Sequence, residues 1–362
     1  MSNGFEIDFM PVGEGESTGD AIALRYGNLH GRRDEQRVIV IDGGYKANGA
    51  ALVDHIQTHY GTTKVDLVVC THPDADHASG LTEVLETLEV GELWMHRPWE
   101  HTDDIADMFE DGRVTDKSVQ DSLRRSLDNA RSLEKIALQQ GIPIHEPFAG
   151  LSDGVGLVVL GPTADYYESL LPSFRCTPTP SPEAGVASRL LSKLSGAVKW
   201  VAETFNIETL DDTGETTAEN NTSAILMLRF EGKCCLFTGD AGIPALSGAM
   251  DHLQAALGAI PEFSFVQVPH HGSRRNVGPT ILDRIVGPKK SVYARRLTAY
   301  VSAPLGETRG KHPSRRVTNA FHRRGAAVHA TQGQSKWHHH NAPARSNYGP
   351  SEPLPFYNQV EE

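Results

Sequence analysis

The sequence predicts a mixed α/β fold whose chemistry is gathered at the ends of strands. Three observations predict it. Short apolar runs of strand type recur along the chain, and several of them lead straight into a loop bearing His or Asp. Other segments carry apolar residues three and four apart, the period of a helix. Gly, Pro, Asn and Asp separate the two kinds. At 362 residues, 39% hydrophobic and 22% charged, the chain is long enough for one large or two modest domains with ample core.

Residues 5–9 alternate apolar and acidic, as a half-buried strand does. Val12 to Leu24 reads as a Gly-rich turn followed by an alternating strand. Val38 to Ile41 is a buried strand ending in Asp42-Gly43-Gly44, and Ala50 to Tyr60 predicts the first helix. Val65 to Cys70 is a strand running into Thr71-His72-Pro73-Asp74-Ala75-Asp76-His77. Leu81, Val84, Leu85 and Leu88 then take helical spacing. Two His and two Asp therefore sit within six residues on a loop at a strand end. Carboxylates and imidazoles at that density repel or desolvate one another unless a cation lies between them. A helix cap with a solvated His is the plainer reading, but four ligand-type side chains exceed what one cap needs.

Leu93-Trp94-Met95 predicts a short strand, and residues 97–116 are polar and irregular. Ser118 to Gln140 predicts one helix, with Val119, Leu123, Leu127, Ala130, Leu133 and Ala137 in a stripe and Gly141 as its stop. His96 and His101 read as surface histidines. Strand character returns at 142–144 and 157–160. Residues 173–185 and 207–220 predict loops, with a helix over 187–205 between them. Loops of that length in a compact domain are lids or insertions. A second hairpin over 221–238 ends in Gly239-Asp240. Phe263 to Val268 ends in Pro269-His270-His271-Gly272-Ser273. Thr298 to Ser302 leads to Lys311-His312-Pro313. Ser314 to Arg324 predicts a helix and Ala326 to Thr331 a last strand. One domain is expected over 1–336, with a helical insertion at 97–140 and a loop and helix insertion at 173–220. Residues 337–362 predict an irregular tail in which His338, His339 and His340 are solvated.

No apolar run approaches the length of a membrane span, and the N-terminal residues lack a basic region followed by an apolar one. Four Cys (Cys70, Cys176, Cys234 and Cys235) show neither zinc nor disulfide spacing. A cytoplasmic protein is the expectation. Net charge is -12, yet Phe265 to Arg345 holds fifteen Lys or Arg and two acids. Either that third presents a positive face to polyanions, or the acidic remainder neutralises it.

The loop at 72–77 resembles the His-x-His-x-Asp-His signature of the metallo-β-lactamase superfamily, with Asp74 in place of its second His. That variant resembles the soluble hydrolase domain of the competence protein ComEC. Val12-Gly13 through Asp20-Ala21 resembles the family's Val-Gly-x-Gly-Asp-Ala, with extra residues that leave a role for Asp20 open. Gly239-Asp240 looks like the bridging aspartate, and His270-His271-Gly272-Ser273 like the ComEC-type segment. The resemblance covers most of residues 5–330. It implies an αββα sandwich of two mixed β-sheets flanked by helices, with one or two divalent metal ions at one edge. One metal is expected on Asp76, His77, His270 and Asp240, the other on His72, Asp74 and Asp240. Asn220 and Asn221 stand where the family supplies a further His, so the second site is expected to be weaker. Asp42 is expected to orient the metal loop without binding metal. Oxygen-rich ligation suits Mn²⁺ or Mg²⁺, and Zn²⁺ also fits.

Such a site activates water and neutralises phosphoryl charge. His271 or His312 is expected to face the substrate and donate a proton to the leaving oxygen. Ser273, Arg274 and Lys311 are expected to grip flanking phosphates, with Gly272 letting backbone approach one of them. The expected function is a metal-dependent phosphodiesterase or nuclease with nucleic acid as substrate. A hydrolase of a small phosphodiester, lactone or thioester is the alternative, and a metal-stabilised binding or regulatory subunit the third. A protein partner through the helical insertion is compatible with all three; no membrane contact is expected.

Overall fold

The computed structural model describes residues 3–181, 200–290, 297–306 and 311–361. Its strands, in chain order, are β1 (Gly4–Phe9), β2 (Ala21–Gly27), β3 (Gln36–Gly43), β4 (Lys64–Val65), β5 (Leu67–Cys70), β6 (Glu89–Val90), β7 (Leu93–Met95), β8 (Ile144–His145), β9 (Leu157–Gly161), β10 (Trp200–Ala202), β11 (Ile225–Phe230), β12 (Lys233–Phe237), β13 (Phe265–Gln267), β14 (Leu297–Val301), β15 (Ala326–Ala330), β16 (Lys336–His340) and β17 (Gln359–Glu361). The helices are α1 (Lys46–His55), α2 (Ala75–Ala78), α3 (Leu81–Thr87), α4 (Asp116–Ser126), α5 (Asp128–Gln140), α6 (Ala164–Leu170), α7 (Ala218–Asn221), α8 (Ile243–Leu257), α9 (Pro279–Ile285) and α10 (Arg315–Arg323).

Two mixed sheets stack face to face. The first has the order β16-β1-β2-β3-β5-β7-β8, antiparallel up to β3 and parallel beyond it. The second has the order β15-β14-β13-β12-β11-β9, parallel from β15 to β12 and antiparallel beyond. Alternation along each strand sends one set of apolar residues inward. Phe5, Ile7, Phe9, Ile39 and Val69 meet Leu226, Leu228, Phe237 and Phe265 between the sheets. The other set turns outward. Val38, Val40 and Val68 pack under Leu52, Leu81 and Leu133 of α1, α3 and α5. Leu236, Val266 and Val328 pack under Leu246, Leu282 and Phe321 of α8, α9 and α10. The result is the αββα sandwich that the resemblance implies.

Several elements differ from their sequence reading. The stretch 118–140 forms two helices, broken at Leu127 (φ -105°, ψ 48°). The apolar stripe steps by four up to Leu127 and by three just after it, and the break falls at that change. The strand expected from Asn221 begins at Ile225, because residues 218–221 close a turn of helix capped by Thr217. Of the helix expected over 187–205, residues 187–199 lie outside the described residues, and Trp200–Ala202 is a strand paired with β17. Residues 337–362 are not irregular throughout. Lys336–His340 pairs with β1, which points His338 between the sheets against Phe265, 5.0 Å between ring centroids. A run of histidines reads as solvated, and only the pairing partner shows that its middle member faces the core.

The tail also covers the outer face of β1. Glu6 and Asp8 point outward there and are fully buried. Arg345 bonds both, Arg25 pairs with Glu6, Tyr60 donates to Asp8 at 2.7 Å, and Trp337 donates to Glu6 at 2.9 Å. Burial pushes the Asp8 carboxyl up, but His55 and Arg345 outweigh it and hold it below its ordinary value.

His96 is not a surface residue. It is 4% exposed, stacks on Tyr167 at 4.4 Å, and neither ring nitrogen has a hydrogen-bond partner. Burial pushes its pKa down to about 3. His101 is its opposite: hydrogen bonds to Glu146 at 3.0 Å and Glu168 at 2.9 Å raise it.

Arg345→Ala would take one cation from two buried carboxylates, leaving Glu6 with Arg25 and Trp337 and Asp8 with Tyr60 and His55, and should lower stability by about 2–3 kcal/mol, read as a urea midpoint shift at unchanged m-value. A loss under about 1 kcal/mol would show that the cluster re-solvates. The unfolded imidazole of His96 takes a proton near pH 6.5 that the buried ring refuses until about 3. Its contribution is therefore present above 6.5 and lost as pH falls. His96→Phe should remove about 2 kcal/mol of acid sensitivity between pH 7 and 5. Parallel pH profiles for the two proteins would contradict this.

Candidate metal centre

Parallel strands run the same way, so their carboxyl ends share an edge. Asp42 ends β3 and His72 follows β5. On the facing sheet Asp240 follows β12, and His270 and His271 follow β13. Stacking the sheets brings these ends together at one rim. The loop from His72 stays tight because Asp74 leads directly into α2. Its far end lies hard against β3: a Cβ on Gly80 would stand 1.9 Å from the Gly43 carbonyl oxygen.

The side chains form two groups that share Asp240. One oxygen of Asp240 lies 3.4 Å from His77 Nε2 and 3.7 Å from His271 Nε2; Asp76 Oδ2 lies 3.9 Å and 3.8 Å from the same two nitrogens. The other oxygen lies 3.9 Å from His72 Nε2 and 3.6 Å from His270 Nε2, with Asp74 Oδ2 4.0 Å from His72 Nε2. Asp20, His77, Asp240 and His271, all buried, also offer ligand atoms within 4.8 Å of one another. Asp20 faces the Nδ1 atoms of His77 and His271, at 3.9 and 4.0 Å.

These separations exceed a hydrogen bond. They suit two donors each about 2 Å from a common cation. His72 Nε2, His77 Nε2, His271 Nε2 and Asp240 Oδ1 are buried with no hydrogen-bond partner. Buried polar atoms of this kind are otherwise satisfied. The donor set therefore fits divalent cations: Asp76, His77, His271 and Asp240 for one, and His72, Asp74, His270 and Asp240 for the other.

The rings are held from behind. Asp42 accepts from the Thr71 hydroxyl at 2.7 Å and the Thr71 amide at 2.8 Å, and lies 2.8 Å from His77 Nδ1. A carboxylate on Nδ1 fixes the tautomer that leaves Nε2 free to ligate. The Thr71 hydroxyl lies 3.1 Å from His72 Nδ1, and the Asn220 amide 2.8 Å from His270 Nδ1. Gln267 donates to Asp20 at 2.9 Å while its carbonyl accepts from the amides of Thr238 and Gly239. The Asp240 amide donates to Ser223, and Asn276 donates to the Asp240 carbonyl. His270 (φ 46°) and His271 (φ 54°) are both left-handed, which turns consecutive rings 87° apart.

Charge inside the site is shared unevenly. Burial pushes Asp240 up, but His270, His77 and His271 hold it well below the usual carboxylate range. Asp76 is drawn down to about 2 by His77 and His271 against its burial. Burial lowers His77, yet Asp240, Asp42 and Asp76 leave it raised. Burial keeps Asp20 raised. It also pushes His312 down to about 3, with the charges of His271 and His270 adding to it.

The sequence puts His270 with Asp76 and His77 and lets His271 face the substrate. The structure exchanges these neighbours: His271 joins Asp76 and His77, and His270 joins His72 and Asp74. The second group thus has two histidines, with Asn220 behind one of them. His312 stacks 6.1 Å from His270, and its lowered pKa favours the neutral ring. Gly272 gives close approach to Pro313: a Cβ there would lie 2.5 Å from the proline ring. Ser273 is half-buried beside His271, and Arg274, Arg275 and Lys311 are exposed with no acidic ion-pair partner among the described residues. Much of the remaining basic third is consumed internally. Arg323 and Arg324 are buried against Glu203 and Glu208, and Arg345 against Glu6 and Asp8.

Sequence reading missed Asn220 and Gln267 as supports and left Asp20 open. The extra residues before Asp20 bulge outward, with 14–17 exposed, and the Asp20 amide still reaches the Asp76 carbonyl at 3.2 Å. Arg175 was also missed; it bonds Asp74 at 2.5 Å from the 173–181 segment, which carries no motif.

Residues 32–294 match the family described as Metallo-beta-lactamase superfamily. Among solved structures the chain is similar to the hydrolase AbOPH in the beta lactamase superfamily (12% identity, TM-score 0.28, covering 61% of this chain and 56% of that one). It is similar to a mutant of the CmlA beta-hydroxylase (12%, TM-score 0.39, 93% and 54%) and to a metallo-beta-lactamase from Pontibacter korlensis (13%, TM-score 0.27, 71% and 84%). The chain spans about half the length of the first two. No curated protein matches the sequence. No helix among the described residues is long and apolar enough to cross a membrane.

Asp240→Asn should weaken binding at both positions together, whereas Asp42→Asn should weaken the His77 position by about 10–100-fold and the His72 position, reached only through Thr71, by less. Calorimetric titration of metal-free protein with Mn²⁺ measures both. Loss of one ion only in Asp240→Asn would show that the carboxylate is not shared.

Proposed function

The chain belongs to the metallo-beta-lactamase superfamily, and we propose that it is a metal-dependent phosphodiesterase acting on nucleic acid, of the ComEC-like kind. The observation that supports the substrate class is the set of exposed cations, Arg274, Arg275 and Lys311, close in the chain to His271 and His312. Phosphodiester backbones are gripped by such side chains, which fix register without reading sequence. The motif of Asp74 within the metal loop and the His270-His271-Gly272-Ser273 segment support the ComEC-like kinship.

Divalent cations, when bound, supply Lewis acidity toward water and a phosphoryl oxygen. The protein's own part is to hold and orient. Asp240 ties the two positions together, and Asp42 and Thr71 keep the Nε2 atoms of His77 and His72 aimed inward. Arg274 and Lys311, with the Ser273 hydroxyl, bind phosphates flanking the scissile one. His312, neutral, gives the leaving oxygen a hydrogen bond in place of a proton. A small phosphodiester is the second reading. It is favoured by the packing of residues 211–217 against 274–280, where Asp212 accepts from the Thr280 amide and hydroxyl. The exposed faces of α4 and α5, including Leu138, would serve a protein partner in either case.

Linear, circular, single- and double-stranded DNA and RNA should be tested for cleavage with Mn²⁺. Degradation that is absent in Asp76→Ala is expected, and Arg274→Ala with Lys311→Ala should reduce the salt slope of oligonucleotide binding by about 2. Binding that ignores salt, with turnover only on small diesters, would move the assignment to the second reading.

A further inference from the structure

The only guanidinium that touches a side chain of the metal centre, among the described residues, is that of Arg175. Its Nη2 lies 2.5 Å from Asp74 Oδ1, and its Nε lies 3.0 Å from Glu219. Glu219 is 2% exposed and also accepts from the Arg175 amide at 2.6 Å. The arginine is therefore anchored at its backbone and at Nε, while its outer nitrogens reach one ligand of the His72 group. Among the described residues no cation of this kind touches Asp76, the corresponding carboxylate of the His77 group.

Asp74 has two claims on it. Oδ1 is held by Arg175, and Oδ2 faces His72 Nε2 at 4.0 Å. A guanidinium on one oxygen lowers the electron density of the carboxylate and sets a fixed positive charge beside any cation drawn to the other. We propose that Arg175 is a built-in competitor for the second cation position: it keeps the His72, Asp74 and His270 group weaker than the His77 group. The number of donors does not by itself give such an asymmetry: each group has two histidines and an aspartate besides Asp240, and Asp20 faces the Nδ1 atoms of His77 and His271, away from their Nε2. Linkage makes the effect reciprocal. A cation that takes Asp74 must loosen the latch, and with it the segment around Arg175 that Phe174 anchors in the core.

This rests on reading the two groups as cation positions, and its test separates the two ideas. Metal-free wild type, Arg175→Ala and Arg175→Lys are titrated with Mn²⁺, with binding followed by calorimetry and by the electron paramagnetic resonance of free Mn²⁺. In wild type two unequal steps are expected. In Arg175→Ala the weaker step should tighten by about tenfold, the effect of removing one nearby unit charge in a partly solvated site, with the tighter step unchanged. Arg175→Lys keeps the charge and should stay within a few-fold of wild type. Hydrogen exchange of residues 174–177 should rise in wild type as the second step fills. Because Arg175 is more than half exposed, unfolding of the variant is not expected, and a thermal melt without metal checks it. A second step that is unchanged or weaker in folded Arg175→Ala would overturn the competitor role and leave the two cation positions standing. No Mn²⁺ bound by wild type would overturn the cation positions themselves.

Discussion

One buried carboxylate organises this molecule. Asp240 is 3% exposed and has four imidazoles within 4 Å of its two oxygens. Polar atoms at that depth destabilise the fold unless something satisfies them. The two sheets are what bring them there: the metal loop comes from one sheet, and Asp240, His270 and His271 from the other. The centre is therefore also a seam between the halves of the sandwich. Its supports reach across in both directions, as when Gln267 from β13 holds Asp20 at the start of β2.

Much of this was legible because strand-end chemistry leaves a plain mark. An apolar run that stops at His or Asp says where the side chain sits, at least to the level of the sheet edge. What could not be read was backbone sign. Whether His270 or His271 joins Asp76 depends on two successive left-handed residues, and nothing in Pro-His-His-Gly announces them. Asp20 was obscured by a loop insertion that bulges into solvent and leaves the aspartate in register. The tail strand was hidden because Trp337, His338 and His339 look polar and short, and their roles follow only from pairing with β1. Arg323 and Arg324 are buried because acids far earlier in the chain come to meet them.

The same long-range pairing explains the balance of charge. Part of the basic C-terminal third is cancelled inside the fold by acidic residues from elsewhere in the chain: Arg323, Arg324 and Arg345 meet Glu203, Glu208, Glu6 and Asp8. The protein's overall charge remains negative.

The left-handed pair at 270 and 271 has a consequence for how such a site can change. Each ring serves a different oxygen of Asp240, but one stretch of backbone aims both, and Gly272, itself at φ 80°, seats that stretch against Pro313. The two positions cannot drift separately through this turn. A backbone shift large enough to retune one histidine swings the other by a similar angle, so divergence between the positions is channelled to residues outside it: Asp74, Asp76, and the side chains that stand behind them.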